Sequence, residues 1–545
     1  MPFPVTTTPN GVGINGVVFD GRSATKGNPT QTIYVSVSQV GTSLYVSTNG
    51  GTTWQALSGQ PSAGLPHTMK LDASGLLYVT YGDTAGSGTG TSGAVWRYTP
   101  GSSTWTELSP TSGTSFAGLT LDRSHPGTLM VTTNGASAAK VFRSVNGGTS
   151  WVEVGAAGPR VTRETSEGPW VAARGEASGG SIGRWLEAIE IDPLDSRRVM
   201  YVESGGLWSS ENLTDFDSGG SLAWRFTVTG LELGSAAAGG KGLVSPPRSE
   251  LTRGLYSVVQ ALGGFVHQSL DVPPALAEHF SPPGSSDESL DVAWLSPGIW
   301  ARTYAEQTHG AVSTDRGASW TPFATSVPVG AGGPGAIAVA ADGSSLVWGP
   351  VGGPLYFSAD RGATWTPASG GPAAPSATDR FVPVADRVNP KVFYAVDARS
   401  WQVYRSANGG RAWAQMGTVQ PTPSGQFSLQ AAPGFEGHLW LPAGTTGLLL
   451  STDYGASWRV VGGPSPCEQV GFGAAAPGKS YPAVFIYARF GPWGLFRSDD
   501  QGGGWRRVND DAHSFGSIVG VTGDPALFGR VYLSTAGRGL IYGDP

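Results

Sequence analysis

Acidic and amide side chains recur in this chain at one fixed place. The pattern Ser-x-Asp/Asn-x-Gly-x-x-Trp occurs seven times: Ser47-Asn49-Gly51-Trp54, Ser144-Asn146-Gly148-Trp151, Ser313-Asp315-Gly317-Trp320, Ser358-Asp360-Gly362-Trp365, Ser406-Asn408-Gly410-Trp413, Ser451-Asp453-Gly455-Trp458 and Ser498-Asp500-Gly502-Trp505. A carboxylate in a polar loop has the chemistry of a general acid or base. A catalytic group, however, does not need seven copies, and a turn accounts for every residue type in the pattern. The Asp or Asn side chain accepts hydrogen bonds from the backbone N–H groups that follow it. Glycine takes the positive-φ position, and tryptophan folds back as an apolar anchor at the start of the next strand. Other chemistries leave no trace. There is no Gly-rich phosphate loop followed by Lys-Ser/Thr and no His-Glu-x-x-His. The seven histidines are far apart, so no metal or other cofactor is expected. Cys467 is the single cysteine, which excludes an intrachain disulfide and a thiolate metal cluster.

The elements that carry these turns follow from their spacing. The last five box tryptophans lie 45, 48, 45 and 47 residues apart, the length of one four-stranded propeller blade. Trp105 divides the 97 residues between Trp54 and Trp151 into 51 and 46, which places a blade with a decayed turn there. The 169 residues from Trp151 to Trp320 hold two more, on the Gly206-Leu207-Trp208 and Gly264-Phe265-Val266-His267 strands. One propeller holds typically about 4–8 blades, so about ten blades and a closing strand near Arg530 to Tyr542 require two propellers. The composition agrees with an all-β chain: 83 Gly, 40 Pro and 19 Trp in 545 residues. A net charge of −6 with scattered basic residues gives no footprint for nucleic acid or an anionic membrane. Apolar runs such as Leu448 to Leu450 fall far short of the ~18 residues that span a bilayer. The first ten residues have no basic region followed by an apolar stretch, so they do not read as a secretory signal.

The segments between the boxes are more specific than the boxes. Asn15-Gly16-Val17-Val18-Phe19-Asp20, Leu65-Pro66-His67, Thr91-Ser92-Gly93-Ala94-Val95-Trp96-Arg97-Tyr98, Glu187-Ala188-Ile189-Glu190-Ile191-Asp192-Pro193, Ser289-Leu290-Asp291-Val292-Ala293 and Gly537-Arg538-Gly539-Leu540-Ile541-Tyr542-Gly543 resemble, in the same order, segments of the glycoside hydrolase family 74 xyloglucanases. The resemblance implies two β-propellers with residues 1–225 as a partial N-terminal propeller of about four blades and 226–545 as a seven-bladed C-terminal one. On that plan the first three blades of the family are missing from the chain, and with them its Thr-Asp-Ile-Gly-Gly-Ala-Tyr-Arg-like segment that holds the general base.

The family cleaves the β-1,4-glucan backbone of xyloglucan with inversion, between a general base and a general acid whose carboxyls stand about 6.5–9.5 Å apart. The resemblance places the acid at Asp291, with Val292 where the family has an aromatic residue; Glu306 is a second candidate that matches no family carboxylate. Trp170 and Trp185 align with family aromatics and are expected as platforms for pyranose rings. The implied partner is xyloglucan or a related β-glucan, and the implied location is extracellular. Three readings stand side by side: an inverting xyloglucanase-like hydrolase, a propeller that binds glycan or protein without catalysis, and a truncated remnant of the enzyme.

Overall fold

The computed structural model describes residues 13–86, 90–135, 139–174, 182–229, 242–247, 254–259, 262–281, 287–305, 308–328, 334–373, 376–377, 379–421 and 428–545. The chain is a β-propeller protein made of short antiparallel sheets. It divides into two compact units, residues 1–229 and 230–545. Among the described residues the first unit holds four sheets and the second holds seven. No helix among them is long and apolar enough to cross a membrane.

Each blade starts from the same local rules. The innermost strand ends in a turn closed by an aspartate, as at Asp122, whose Oδ1 accepts the N–H groups of Ser124 and His125 at 2.9 and 3.1 Å. Asp386 and Asp524 do the same work in the second unit. The third strand ends in the Ser-x-Asp/Asn box. In the box at Ser358, the Gly362 N–H donates to Ser358 Oγ at 2.8 Å and the Ser358 hydroxyl donates to Asp360 Oδ1 at 2.7 Å. Asp360 also accepts the Thr364 N–H and hydroxyl, at 2.9 and 2.6 Å. The box glycines all have positive φ, between 74° at Gly317 and 89° at Gly51. The turn then delivers its tryptophan to the sheets: Trp151, for example, donates its indole N–H to Leu108 O at 2.7 Å. The strand Thr104–Glu107 presents Trp105 in the same way without a box before it.

The second unit is a ring. Its seven sheets pack one on the next through their innermost strands. The seventh then meets the first through Leu243, Leu255 and Tyr532, and the Tyr542 hydroxyl donates to Asp271 Oδ1 at 2.6 Å. The middle strands are buried on both faces, as in Trp300–Tyr304 and Leu448–Ser451. In the first unit the innermost strands Ile14–Phe19, Leu65–Leu71, Phe116–Leu121 and Ala188–Asp192 also pack in series. Its fourth sheet differs from the others. It has five strands, the edge one, Val161–Glu164, lying parallel to Leu222–Phe226. Arg163 from that edge lays its guanidinium 3.6 Å over the Trp208 ring. Along Asp195–Glu203, Val199 and Tyr201 are buried while Met200 and Val202 are exposed.

The box turns carry a pH signature. The Thr364 hydroxyl and N–H hold the Asp360 carboxyl below the usual carboxylate range, and the Gly504 N–H and Ser498 hydroxyl do so for Asp500. A carboxyl whose folded pKa is depressed stabilises the fold above its unfolded value, about 3.9, and that contribution is lost as pH falls through the folded value. Asn fills the same box position at Asn408, where its Oδ1 accepts the Ala412 N–H at 2.9 Å. Asp360→Asn is therefore expected to shallow the fall in melting temperature between about pH 5 and pH 3. Calorimetric melts across that range check it; identical slopes in both proteins would remove the box carboxylates as the cause.

Candidate active site

Asp291 sits near the end of the innermost strand Asp287–Val292 in the second sheet of the second unit. Its residue exposure is 2 %. Oδ2 accepts the Val339 N–H of the next sheet's innermost strand at 2.9 Å. Oδ1 receives Nη2 of Arg387 at 2.9 Å, and Nη1 of the same guanidinium donates to Val292 O at 3.2 Å. Two residues earlier, Ser289 Oγ accepts the Ile337 N–H at 3.2 Å. The first unit makes the same stitch with a neutral residue, where Thr120 Oγ1 accepts the Ile191 N–H at 3.0 Å. Asp291 thus occupies a blade-to-blade stitching position, with a partly buried arginine as counter-charge. Glu306 lies outside the described residues.

The two tryptophans part company. Trp170, on the 3-10 turn Pro169–Arg174, is 6 % exposed and meets Phe226 of the fourth sheet edge-on, with ring centroids 5.5 Å apart. Its ring is buried in packing. Trp185 is 36 % exposed and has φ +56°, a left-handed backbone that a bulky side chain rarely adopts. Its N–H donates to Gly135 O at 3.1 Å, which anchors the strained segment to the neighbouring sheet.

Around Trp185 the fold gathers polar residues that spacing alone does not bring together. Glu187 follows two residues later, just before the innermost strand of the fourth sheet, and His67 lies in the innermost strand of the second sheet. His67 Nδ1 stands 3.8 Å from Glu187 Oε2. Farther along the same two strands, Lys70 Nζ pairs with Glu190 Oε2 at 2.7 Å. His67 Nε2 lies 2.8 Å from Thr84 O, and the ring packs so close to Gly82 that a Cβ there would stand 2.8 Å from Nε2. Asn134 is fully buried, and its Nδ2 donates to Gly86 O at 2.9 Å. Both His67 and Glu187 lie in segments that carry the family resemblance, but 120 residues separate them in sequence. The only signal of their pairing is that each opens an innermost strand. Among the described residues no group of three or more His, Cys, Asp or Glu side chains is placed to hold a metal ion.

Removing Arg387 would take away the guanidinium that pairs with the buried Asp291 carboxylate, and breaking a buried pair by removing one partner costs about 3–5 kcal/mol. Arg387→Ala is expected to lower the urea midpoint accordingly, whereas Arg387→Ala combined with Asp291→Asn should recover much of the loss. Urea unfolding of the two proteins checks this, and equal destabilisation in both would show that the ion pair is not what the fold relies on.

No protein-family model matches the chain. It is 38% identical to a xyloglucanase of Paenibacillus sp over 98% of this chain and 53% of that protein. To a xyloglucanase of Acetivibrio thermocellus it is 37% identical, over 98% of this chain and 64% of the relative. The chain therefore spans between half and two-thirds of the length of these curated relatives. Among solved structures, the GH74 xyloglucanase from Xanthomonas campestris superposes with a TM-score of 0.83 at 33% identity, covering 98% of this chain and 74% of that one.

Proposed function

The chain belongs to glycoside hydrolase family 74, and from that premise we propose that it acts on xyloglucan or a closely related β-1,4-glucan outside the cell. The observation that carries the reading is Trp185: an exposed residue on a strained backbone, two positions before Glu187, which pairs with His67. A pyranose presents an apolar face to such a ring and hydroxyls to the polar groups beside it. The relatives named xyloglucanases supply the substrate class.

Inverting hydrolysis needs one carboxyl to protonate the leaving oxygen and another to activate water from the opposite face. Asp291 could act as the acid only by leaving Arg387 and the Val339 N–H, since a general acid must reach the glycosidic oxygen with a proton to give. In the proposed reading Asp291 is a structural clamp, and the proton comes from another carboxyl. Its commitment to the wall of the ring also favours a second reading, in which the chain holds the glycan without cleaving it.

Reducing-sugar release from xyloglucan, measured beside binding, separates these readings. The hydrolase reading expects release by wild type, retained by Asp291→Asn at temperatures where both proteins are folded. Loss of release in a folded Asp291→Asn protein, with binding intact, would restore Asp291 as the acid. Binding without release selects the second reading, and absence of both overturns the glycan assignment. Trp185→Ala is expected to weaken binding by roughly tenfold.

A further inference from the structure

Neighbouring sheets of the second ring follow one another along the chain, except at the contact that closes it. There the first sheet, Leu243–Val244, Leu255–Val259 and Gly263–His267, meets the seventh, Ile518–Gly523, Val531–Thr535 and Leu540–Gly543. The Asp271–Tyr542 hydrogen bond across it joins residues 271 positions apart. Both sheets have three strands where the other five have four. Leu255 packs with Tyr532 in this seam, together with Leu243, Leu270, Leu540 and Tyr542. His267 stands directly opposite Leu255 in the ladder, so the two side chains project to the same side. Its Nε2 lies 2.8 Å from Ser257 Oγ, and the residue keeps part of its surface accessible to solvent. The carboxylates of the adjoining segment are committed. Asp271 accepts the Tyr542 hydroxyl, and Glu278 accepts the N–H groups of Gln268 and Ala275 at 3.0 and 2.7 Å. His279 docks that segment on the outer strand through Leu262 O, 2.6 Å from its Nε2.

A neutral imidazole suits this place and a charged one does not. Protonation puts a hydrogen on both ring nitrogens, so the Ser257 hydroxyl can no longer donate to Nε2, and it sets a charge against leucine and tyrosine side chains. We propose that His267 makes the closing seam of the second ring an acid-sensitive release, closed while the imidazole is neutral and loosened when it takes a proton. Burial pushes the His267 pKa down to about 4. Burial lowers that of His279 as well, and the Arg302 guanidinium adds to the shift. Above about pH 6.5 the imidazole is neutral in the closed and the opened seam alike, and closure loses nothing. Below that value the opened seam binds the proton first, so closure weakens as pH falls. The effect levels off near pH 4, where the closed seam takes the proton too.

Backbone hydrogen exchange on the full chain, corrected for the intrinsic pH dependence of exchange, tests it. Between about pH 6.5 and about pH 4.5, protection of peptides covering 262–281 and 531–543 is expected to fall by up to about a hundredfold, roughly tenfold per pH unit. The sheet that holds Leu439–Pro442 and Leu448–Ser451 should keep its protection. His267→Gln keeps a hydrogen-bonding group for Ser257 but does not titrate, and is expected to shrink the fall by about tenfold or more. A fall of equal size in wild type and variant overturns the proposal. So does a fall shared by every sheet, or none at all. Exchange at the imidazole C2 carbon reads the His267 titration in wild type, without any substitution. A midpoint well below about 6.5 is expected there, and one at or above it removes His267 as the trigger.

Discussion

A sheet whose middle strands read Leu-Leu-Leu-Ser or Val-Phe-Ile-Tyr is apolar on both faces and has to be covered twice. That requirement orders the rest of this molecule. Four strands are too few to bury such faces alone, so each sheet becomes a wall for the next and the innermost strands are drawn together. In the second unit the series closes on itself through Leu243, Leu255 and Tyr532, and every sheet is covered. In the first unit the fourth sheet keeps Met200 and Val202 exposed. The chain fits that sheet to its position with a parallel edge strand and a guanidinium laid over Trp208.

Close packing of inner strands brings backbone N–H groups of one blade against side chains of the one before. Thr120, Ser289 and Asp291 are three answers to the same demand for an acceptor. Two are neutral. The third introduces a buried charge and pairs it with Arg387, whose guanidinium comes from the turn after the innermost strand of the next sheet but one. A carboxylate in a propeller wall can thus be tied to the next blade's backbone and to an arginine at once. The same packing places His67 and Glu187, each opening an innermost strand, on either side of the intervening sheet.

The site was less legible than the fold, and the residues show why. The family resemblance pointed to Asp291, Trp170 and Trp185 alike, because a local match cannot tell which way a side chain faces. One of the tryptophans is packed edge-on to Phe226 and the other is held out by a positive φ. Their difference is set by Phe226 and Gly135, which lie far from them in sequence. Glu187 and His67 were visible as parts of matching segments, but nothing in either segment announces the other.

The sequence by itself determined the propeller. Box turns, tryptophan anchors and the spacing of about one blade are local and repeated, and each turn closes on atoms within a few residues of itself, as Ser358, Asp360, Gly362 and Thr364 do. Family membership was legible for the same reason, since ordered segments survive as text. Only the tertiary structure decided which acid is tied to a neighbouring blade, which tryptophan is exposed and which polar groups pair across the sheets. Those properties depend on what the neighbouring blades bring to within hydrogen-bonding distance, and separations of 48, 96 and 120 residues carry no trace of that in the chain.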